Sequence, residues 1–246
     1  LYDFGMLNQA KKMLLDIMET LKDEIRNGIP IVGLEPSCVA VFRDELHNLF
    51  PHKEDAARLK KQVFTLAEFL EQKAPDFEIP QLENKAIMHG HCHHKAIMKI
   101  EPEKKLLKKT GLDFKILDSG CCGMAGYFGY EKGDRYDVSI KAGERVLLPA
   151  VRNLEMSGII IADGFSCREQ IEQSTNRKGM HLAQVLDMAL QGEQTYDANP
   201  EKDYLQKHKI TATKKQKLIR NSVVAVSVVL AALLITKTIF SKNKME

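Results

Sequence analysis

The residues with the clearest capacity for chemistry are five cysteines. Two of them, Cys121 and Cys122, are adjacent and stand between glycines. Neighbouring side chains on an extended strand point to opposite faces, so both thiols can serve one site only where glycine lets the backbone turn sharply. Because an odd number of cysteines argues against a framework of disulfides alone, we expect reduced thiols that bind a metal or take part in catalysis.

Thiolates are soft ligands that select iron–sulfur clusters, zinc or copper(I). The sequence contains no C-x-x-C pair, which is the usual sign of a structural zinc site. Iron–sulfur clusters accept ligands that are scattered along the chain, provided that the fold gathers them. The working hypothesis is one inorganic cofactor held by Cys38, Cys92, Cys121, Cys122 and Cys167. The alternative is a set of buried free thiols, which are common in protein cores.

A histidine-rich segment, His89-Gly90-His91-Cys92-His93-His94, is the main argument for zinc. Side chains alternate along a strand, so only some of these imidazoles can face one site. Our interpretation is that Cys92 is a ligand and that one or two histidines hydrogen-bond to the ligands; the candidates are His89, His91 and His93. A histidine as a direct ligand stays open.

Short apolar runs alternate with helical patterns, which predicts an α/β fold with a mostly parallel sheet. The predicted strands are residues 29–34, 86–88, 114–117 and 158–162, and the longest predicted helices are residues 6–27, 54–72 and 138–154, the last with a kink at Pro149. Each cysteine follows an apolar run, and ligands of parallel sheets bind at the carboxyl ends of the strands. The runs ending at Cys38 and Cys167 match each other most closely, which indicates an internal duplication.

Composition and charge narrow the function classes. The chain of 246 residues has 44% hydrophobic residues, which is ordinary for a globular protein, and a net charge of +3. No basic patch with interleaved aromatics is present in the globular part, so we expect no nucleic-acid partner. No signal peptide is visible, and the first residue is Leu1, so we expect the natural N-terminus to lie upstream.

The C-terminal region predicts membrane attachment. Residues 191–217 are polar and lysine-rich, as in a basic linker, and residues 218–240 form an apolar run of about 34 Å as a helix. Lysines crowd the N-terminal side of this run, so the positive-inside rule predicts that the globular part is cytoplasmic. The alternative is an apolar helix that docks on the fold.

The cysteine motifs resemble a known family. The segments Gly33–Cys38, His89–Lys95, Asp118–Gly126 and Ala162–Arg168 are similar to the cysteine-rich CCG domain. This domain occurs in the B subunit of heterodisulfide reductase, the iron–sulfur subunit of glycolate oxidase and the C subunit of anaerobic glycerol-3-phosphate dehydrogenase. The segments look most like those of another group that carries it, the FAD-linked oxidases of the D-lactate dehydrogenase type. The resemblance covers roughly residues 1–190.

The resemblance implies two pseudo-symmetric repeats, with residues 1–84 as the remainder of a truncated first repeat and residues 85–190 as the second. It implies a 4Fe-4S cluster on Cys92, Cys121, Cys122 and Cys167, with Cys38 nearby. The sequence departs from the reductase type at Gly164, because no C-x-x-C closes the second repeat, and the gaps between its cysteines differ as well.

The implied function is an iron–sulfur electron-transfer module of a membrane-attached oxidoreductase. Electrons from a 2-hydroxy acid such as glycolate or D-lactate would pass from FAD, on a missing domain or a partner subunit, through this module to quinone or another acceptor. One alternative is a thiol/disulfide reductase module like heterodisulfide reductase. Another is a non-enzymatic interaction module that zinc stabilises.

Overall fold

The structure, a computed structural model, describes residues 1–2, 4–192 and 196–208. Within these residues the strands are short and every named pair is parallel, as the sequence predicts. The strands are β1 (Ile31–Val32), β2 (Val63–Phe64), β3 (Lys85–Met88), β4 (Asp113–Ile116) and β5 (Ile159–Ile161). The mixed fold of helices and short parallel strands is confirmed, whereas its division into two repeats stays a prediction.

Helices connect the strands and cover them. The α-helices are α1 (Leu7–Thr20), α2 (Lys22–Arg26), α3 (Pro36–Ala40), α4 (Leu46–Leu49), α5 (Glu54–Gln62), α6 (Leu66–Lys73), α7 (Glu101–Lys109), α8 (Asp134–Glu144), α9 (Leu147–Asn153), α10 (Phe165–Ser174) and α11 (Leu182–Leu190). Two π-helical segments, Val41–Glu45 and His94–Met98, and one 3-10 turn, Phe128–Tyr130, complete the named elements. Helical residues 200–208 follow.

Two sheets organise the described chain. Strand β1 pairs with β2, and the larger sheet has the order β4-β3-β5. Its central strand places Met88 opposite Ile116 on one side and opposite Ile161 on the other. Since all three strands are parallel and in close register, the segments that follow them emerge at one edge. This edge is where the chain carries most of its cysteines.

Strand β2 corrects the helix predicted over residues 54–72. The helix α5 ends at Gln62, and Val63 and Phe64 pair with Ile31 and Val32 before α6 begins. Both β2 side chains are buried, which suits a β-branched and an aromatic residue in a sheet. Thr65 and Glu68 then form a reciprocal capping box that starts α6, with Thr65 accepting from the Glu68 N–H.

The helix predicted over residues 138–154 is also divided. Helix α8 ends at Glu144, and α9 begins at Leu147 after Val146 leaves the helical conformation. Pro149 therefore lies in the first turn of α9 and does not kink a longer helix. Proline is tolerated there because the first N–H groups of a helix have no intrahelical partner.

Two apolar clusters of described residues form much of the core. One joins α1, α2 and α5 with α3 and includes Leu14, Ile25, Val39 and Leu59. The other lies around the larger sheet and includes Ile87, Ile160, Val151 and Ile171, together with Cys122 and Cys167. Two cysteines thus belong to the hydrophobic interior, where the polarity of the surroundings is low.

The segment after α11 contacts the body of the fold. The amide of Asn84 donates to the carbonyl oxygens of Ser157 (2.8 Å) and Tyr196 (2.9 Å). Glu201 forms a buried ion pair with Arg177. Residues 196–201, within the segment predicted as a linker, are thus part of the first of two compact units, Leu1–Glu201 and Lys202–Glu246.

The predicted membrane helix at residues 218–240 lies outside the described residues. Among the helices that the structure does describe, none has both the length and the apolar character that crossing a bilayer requires. Membrane attachment and the cytoplasmic location of the globular part therefore stay predictions from the sequence.

Candidate metal centre

The three strands of the larger sheet each deliver cysteine to the same edge. Cys92 follows β3, Cys121 and Cys122 follow β4, and Cys167 follows β5 in the first turn of α10. Carboxyl ends of adjacent parallel strands are neighbours, so the topology brings together residues that are far apart in the sequence. All of these cysteines are free thiols.

The most compact group in the centre consists of Cys122, Cys167 and His89. Their ligand atoms, two sulfurs and one imidazole nitrogen, all lie within 4.8 Å of one another, and all three residues are buried. Two sulfurs bound to one tetrahedral metal atom lie about 3.8 Å apart, given metal–sulfur bonds of about 2.3 Å. The group is therefore close to the spacing that a single metal atom requires.

The second pair, Cys92 and Cys121, is half-buried. Hydrogen bonds from the Cys122 and Cys92 thiols lower the pKa of Cys121 well below its usual range, and the N–H of Gly123, 3.3 Å from Cys121 Sγ, acts in the same direction. The bond to Cys121 and partial burial raise the pKa of Cys92. The pKa values of these two thiols are thus shifted in opposite directions.

The buried cysteines show the same alternation. The bonds to Cys121 and Cys167, together with burial, raise the pKa of Cys122. The bond from Cys122 lowers the pKa of Cys167 despite burial, and the neighbouring His89 ring adds to this effect. The N-terminal turn of α10 also favours a negative sulfur at Cys167. A bound metal would replace the protons on these sulfurs, because the thiolate is the ligand form.

Neighbouring helices fix the turn that carries the adjacent cysteines. Gly123 has φ +103°, and a Cβ there would lie 2.1 Å from the carbonyl oxygen of Ser139 on α8. Gln170 on α10 donates from Nε2 to the carbonyl oxygens of Cys122 and Ser139, both at 3.2 Å. Since Gln170 is buried and one turn beyond Cys167, a single helix supplies one thiol and holds the backbone of another.

Sequence reasoning missed Gln170. The local signal was a glutamine three residues after Cys167, on the same helical face. Three residues later, however, Gln173 is exposed and its side chain donates to Glu169. Residue type and spacing do not separate the two glutamines. Only the packing of α10 against the loop and α8 gives Gln170 its role.

The remaining histidines have other partners. His91 Nδ1 accepts the N–H of His93 at 3.2 Å and lies 4.0 Å from Cys92 Sγ, and burial lowers the pKa of His91. His93 packs edge-on against the His91 ring. A Cβ at position 164 would lie 2.4 Å from His91 Cδ2, so glycine is needed at the position where the reductase type carries cysteine.

Cys38 is apart from the compact group. Its thiol is exposed near the start of α3, and its pKa is raised by partial burial and by the charge of Glu35. The segment around it does approach the centre, because Glu35 Oε2 accepts the N–H of Phe165 at 2.8 Å, at the start of α10. The structure therefore places Cys38 near this edge without bringing its thiol into the group formed by Cys122, Cys167 and His89.

A cavity of about 370 Å³ gives access to the half-buried cysteines. It is lined by Ser37, His91, Cys92, His93, Cys121, Cys122, Ala125, Gly126 and Ser166. The donor set in and below this cavity consists of four free thiols and the buried His89 nitrogen, which has no hydrogen-bond partner. Soft sulfur and imidazole donors suit an iron–sulfur cluster or zinc and do not suit the hard cations magnesium and calcium.

Comparisons with known proteins find relatives that are named as dehydrogenases or as a subunit of one. The chain is similar to the C subunit of anaerobic glycerol-3-phosphate dehydrogenase of Escherichia coli strain K12, with 28% identity over 193 residues that cover 76% of this chain and 47% of that subunit. It is also similar to D-2-hydroxyglutarate dehydrogenase of Haemophilus influenzae, with 26% identity over 197 residues that cover 74% of this chain and 18% of that protein.

The chain is homologous to part of each dehydrogenase. It spans less than half of the glycerol-3-phosphate dehydrogenase subunit and under a fifth of the D-2-hydroxyglutarate dehydrogenase. No protein-family model and no solved structure matches it. The comparisons thus support a module related to oxidoreductases, and the predicted similarity to the glycerol-3-phosphate dehydrogenase subunit is confirmed.

Proposed function

We propose that this chain is the iron–sulfur electron-transfer module of an FAD-linked dehydrogenase that oxidises a 2-hydroxy acid. The observation that carries the proposal is the arrangement of four free thiols and one unpartnered imidazole nitrogen at the carboxyl edge of a single parallel sheet. Both relatives are named as dehydrogenases, and one of the named substrates, D-2-hydroxyglutarate, is itself a 2-hydroxy acid, whereas glycerol 3-phosphate is not.

Cys92, Cys121, Cys122 and Cys167 would hold a 4Fe-4S cluster. When bound, such a cluster supplies a one-electron redox couple. The chain contributes its surroundings: two of the sulfurs lie in the apolar core, and the Gly123 N–H donates to Cys121 Sγ, which favours additional negative charge at that sulfur. The half-buried pair beside the cavity is the side on which electrons can enter or leave.

The flavin and the substrate would be bound elsewhere. The alignments cover only 17–18% of the D-2-hydroxyglutarate dehydrogenases, so we propose that an FAD-containing domain or partner subunit, corresponding to the unaligned part, oxidises the substrate. Quinone or another carrier would accept the electrons from this module. Substrate profiling with the complete enzyme identifies the donor within the 2-hydroxy-acid class.

Zinc is the second candidate, and the compactness of the His89, Cys122 and Cys167 group favours it. Three ligand atoms within 4.8 Å of one another suit one tetrahedral ion that takes a fourth ligand. In that case the metal would stabilise the fold and the chain would be a structural module beside a dehydrogenase.

Metal analysis of the anaerobically purified full chain tests the proposal. We expect iron and acid-labile sulfide, both lost in Cys122→Ser and retained in Cys38→Ser, which is the matched control because its thiol lies outside the compact group. Circular dichroism shows whether each variant folds. Zinc without iron or sulfide would refute the electron-transfer role and leave the structural one.

A further inference from the structure

Among the described histidines of the histidine-rich segment, His89 is the one whose ring forms a compact group with cysteine sulfurs. It follows β3 directly, its side chain is 1% exposed, and its Nε2 atom has no oxygen or nitrogen hydrogen-bond partner, with the Cys167 thiol as its polar neighbour. A buried polar nitrogen without a partner costs about 1–3 kcal/mol. Such a cost is avoided when the nitrogen lone pair binds a metal.

The other ring nitrogen of His89 is held in place. Nδ1 lies 2.5 Å from the hydroxyl oxygen of Ser119, which is itself buried just before the adjacent cysteines. Metal-binding histidines use the second ring nitrogen in this way, because donation from Nδ1–H fixes the tautomer that leaves the Nε2 lone pair free. The contact with Ser119 therefore orients the His89 ring and leaves the Nε2 lone pair available to a metal.

The open nitrogen lies among sulfurs. One ring nitrogen of His89 is within 4.8 Å of both Cys122 Sγ and Cys167 Sγ. Because Ser119 occupies Nδ1, Nε2 is the nitrogen available to complete this set. In contrast, His91 accepts a backbone N–H, and His94 Nε2 lies 2.7 Å from a carboxylate oxygen of Glu103.

We propose that His89 Nε2 is a direct metal ligand, alongside Cys122 and Cys167, and that the centre therefore has mixed nitrogen and sulfur coordination. This goes beyond a hydrogen bond from His89 to a cysteine ligand. It rests on the proposed function only in that a metal occupies this site: a zinc ion would take His89 as one of its four ligands, and an iron–sulfur cluster would take it as a fifth ligand beside the four cysteines.

Cobalt binding by the full-length apo-protein tests the ligand role independently of the iron–sulfur assignment. Co²⁺ is titrated anaerobically into the wild type, His89→Ala, His89→Cys and the control His52→Ala, whose side chain is exposed. Absorption reports the affinity and, through thiolate charge-transfer bands, the number of sulfur ligands.

We expect His89→Ala to bind Co²⁺ at least about tenfold more weakly, which is the lower end of the loss seen even for residues that only orient a ligand. His89→Cys should recover affinity with a stronger thiolate band, and His52→Ala should match the wild type. Unchanged affinity and spectrum in His89→Ala would overturn the proposal. If His89→Ala does not fold, His89→Cys decides: a folded variant without a stronger thiolate band overturns it.

The two proposals fail in different ways. Absence of iron and sulfide from the isolated protein would refute the electron-transfer module and leave the His89 ligand intact if the cobalt results hold. Presence of iron and sulfide together with wild-type cobalt binding in His89→Ala would refute the ligand and leave the module.

Discussion

Replacing Glu201 by methionine should destabilise the fold by about 3–5 kcal/mol, because the change leaves the charge of Arg177 buried without its partner. Both side chains of this ion pair are 1% exposed. Arg177 Nε donates to one carboxylate oxygen of Glu201 at 2.6 Å, and Nη2 donates to the other at 3.2 Å. The pair joins the segment after α11 to the rest of the fold.

The loss in the free energy of unfolding depends on which partner of the ion pair is replaced. Arg177 also donates to the carbonyl oxygens of Glu155 (3.2 Å) and Gly158 (2.6 Å), so its replacement by methionine removes those two bonds as well as the pair. A buried acceptor left without a donor costs about 1–3 kcal/mol. The double variant leaves neither charge unpaired, so its cost should be well below the sum of the two single costs.

Urea unfolding of the full chain, followed by circular dichroism, measures these free energies. The matched control is Glu172→Met, which removes an ion pair with Lys178 whose side chains are 45% and 41% exposed and should cost at most about 1 kcal/mol. The reasoning would be refuted if Glu201→Met cost no more than this control. Strict additivity of the two single variants in the double variant would also contradict it.

Two further predictions concern the loop of the adjacent cysteines. Gln170→Ala should speed metal loss to a chelator by about tenfold or more, because the loop backbone loses the Gln170 side-chain donor. The control Gln173→Ala, on the exposed side of the same helix, should leave the rate of metal loss unchanged. Equal rates in the two variants would contradict the role of Gln170 in holding the loop. Gly123→Ala should lower the thermal midpoint of unfolding far more than Gly120→Ala. A Cβ at position 123 would meet the Ser139 carbonyl oxygen, whereas a Cβ at position 120 would meet nothing within 4 Å. Similar midpoints for the two variants would contradict this packing.

The sequence predicted the fold class because two strands of the larger sheet, β3 and β5, are mostly buried apolar runs bounded by turn residues, and β4 alternates exposed and half-buried side chains. Such runs carry their signal locally, as in Ile159–Ile161, where every side chain is buried. Strand β2 lacked such a signal, since Val63 and Phe64 continue the apolar spacing of α5 and become a strand only by pairing with β1. The Thr65–Glu68 capping box was the local sign that a new helix begins after them.

For the candidate site, too, the sequence predicted one part and the tertiary structure decided the other. Residue type alone predicted thiol chemistry, and the position of each cysteine after an apolar run predicted a shared edge of a parallel sheet. Tertiary structure decided which groups meet: His89 joins Cys122 and Cys167, Cys38 does not, and Gln170 holds the loop. These relations depend on the order of the strands and on helix packing between residues far apart in the chain, which no local pattern of side chains records.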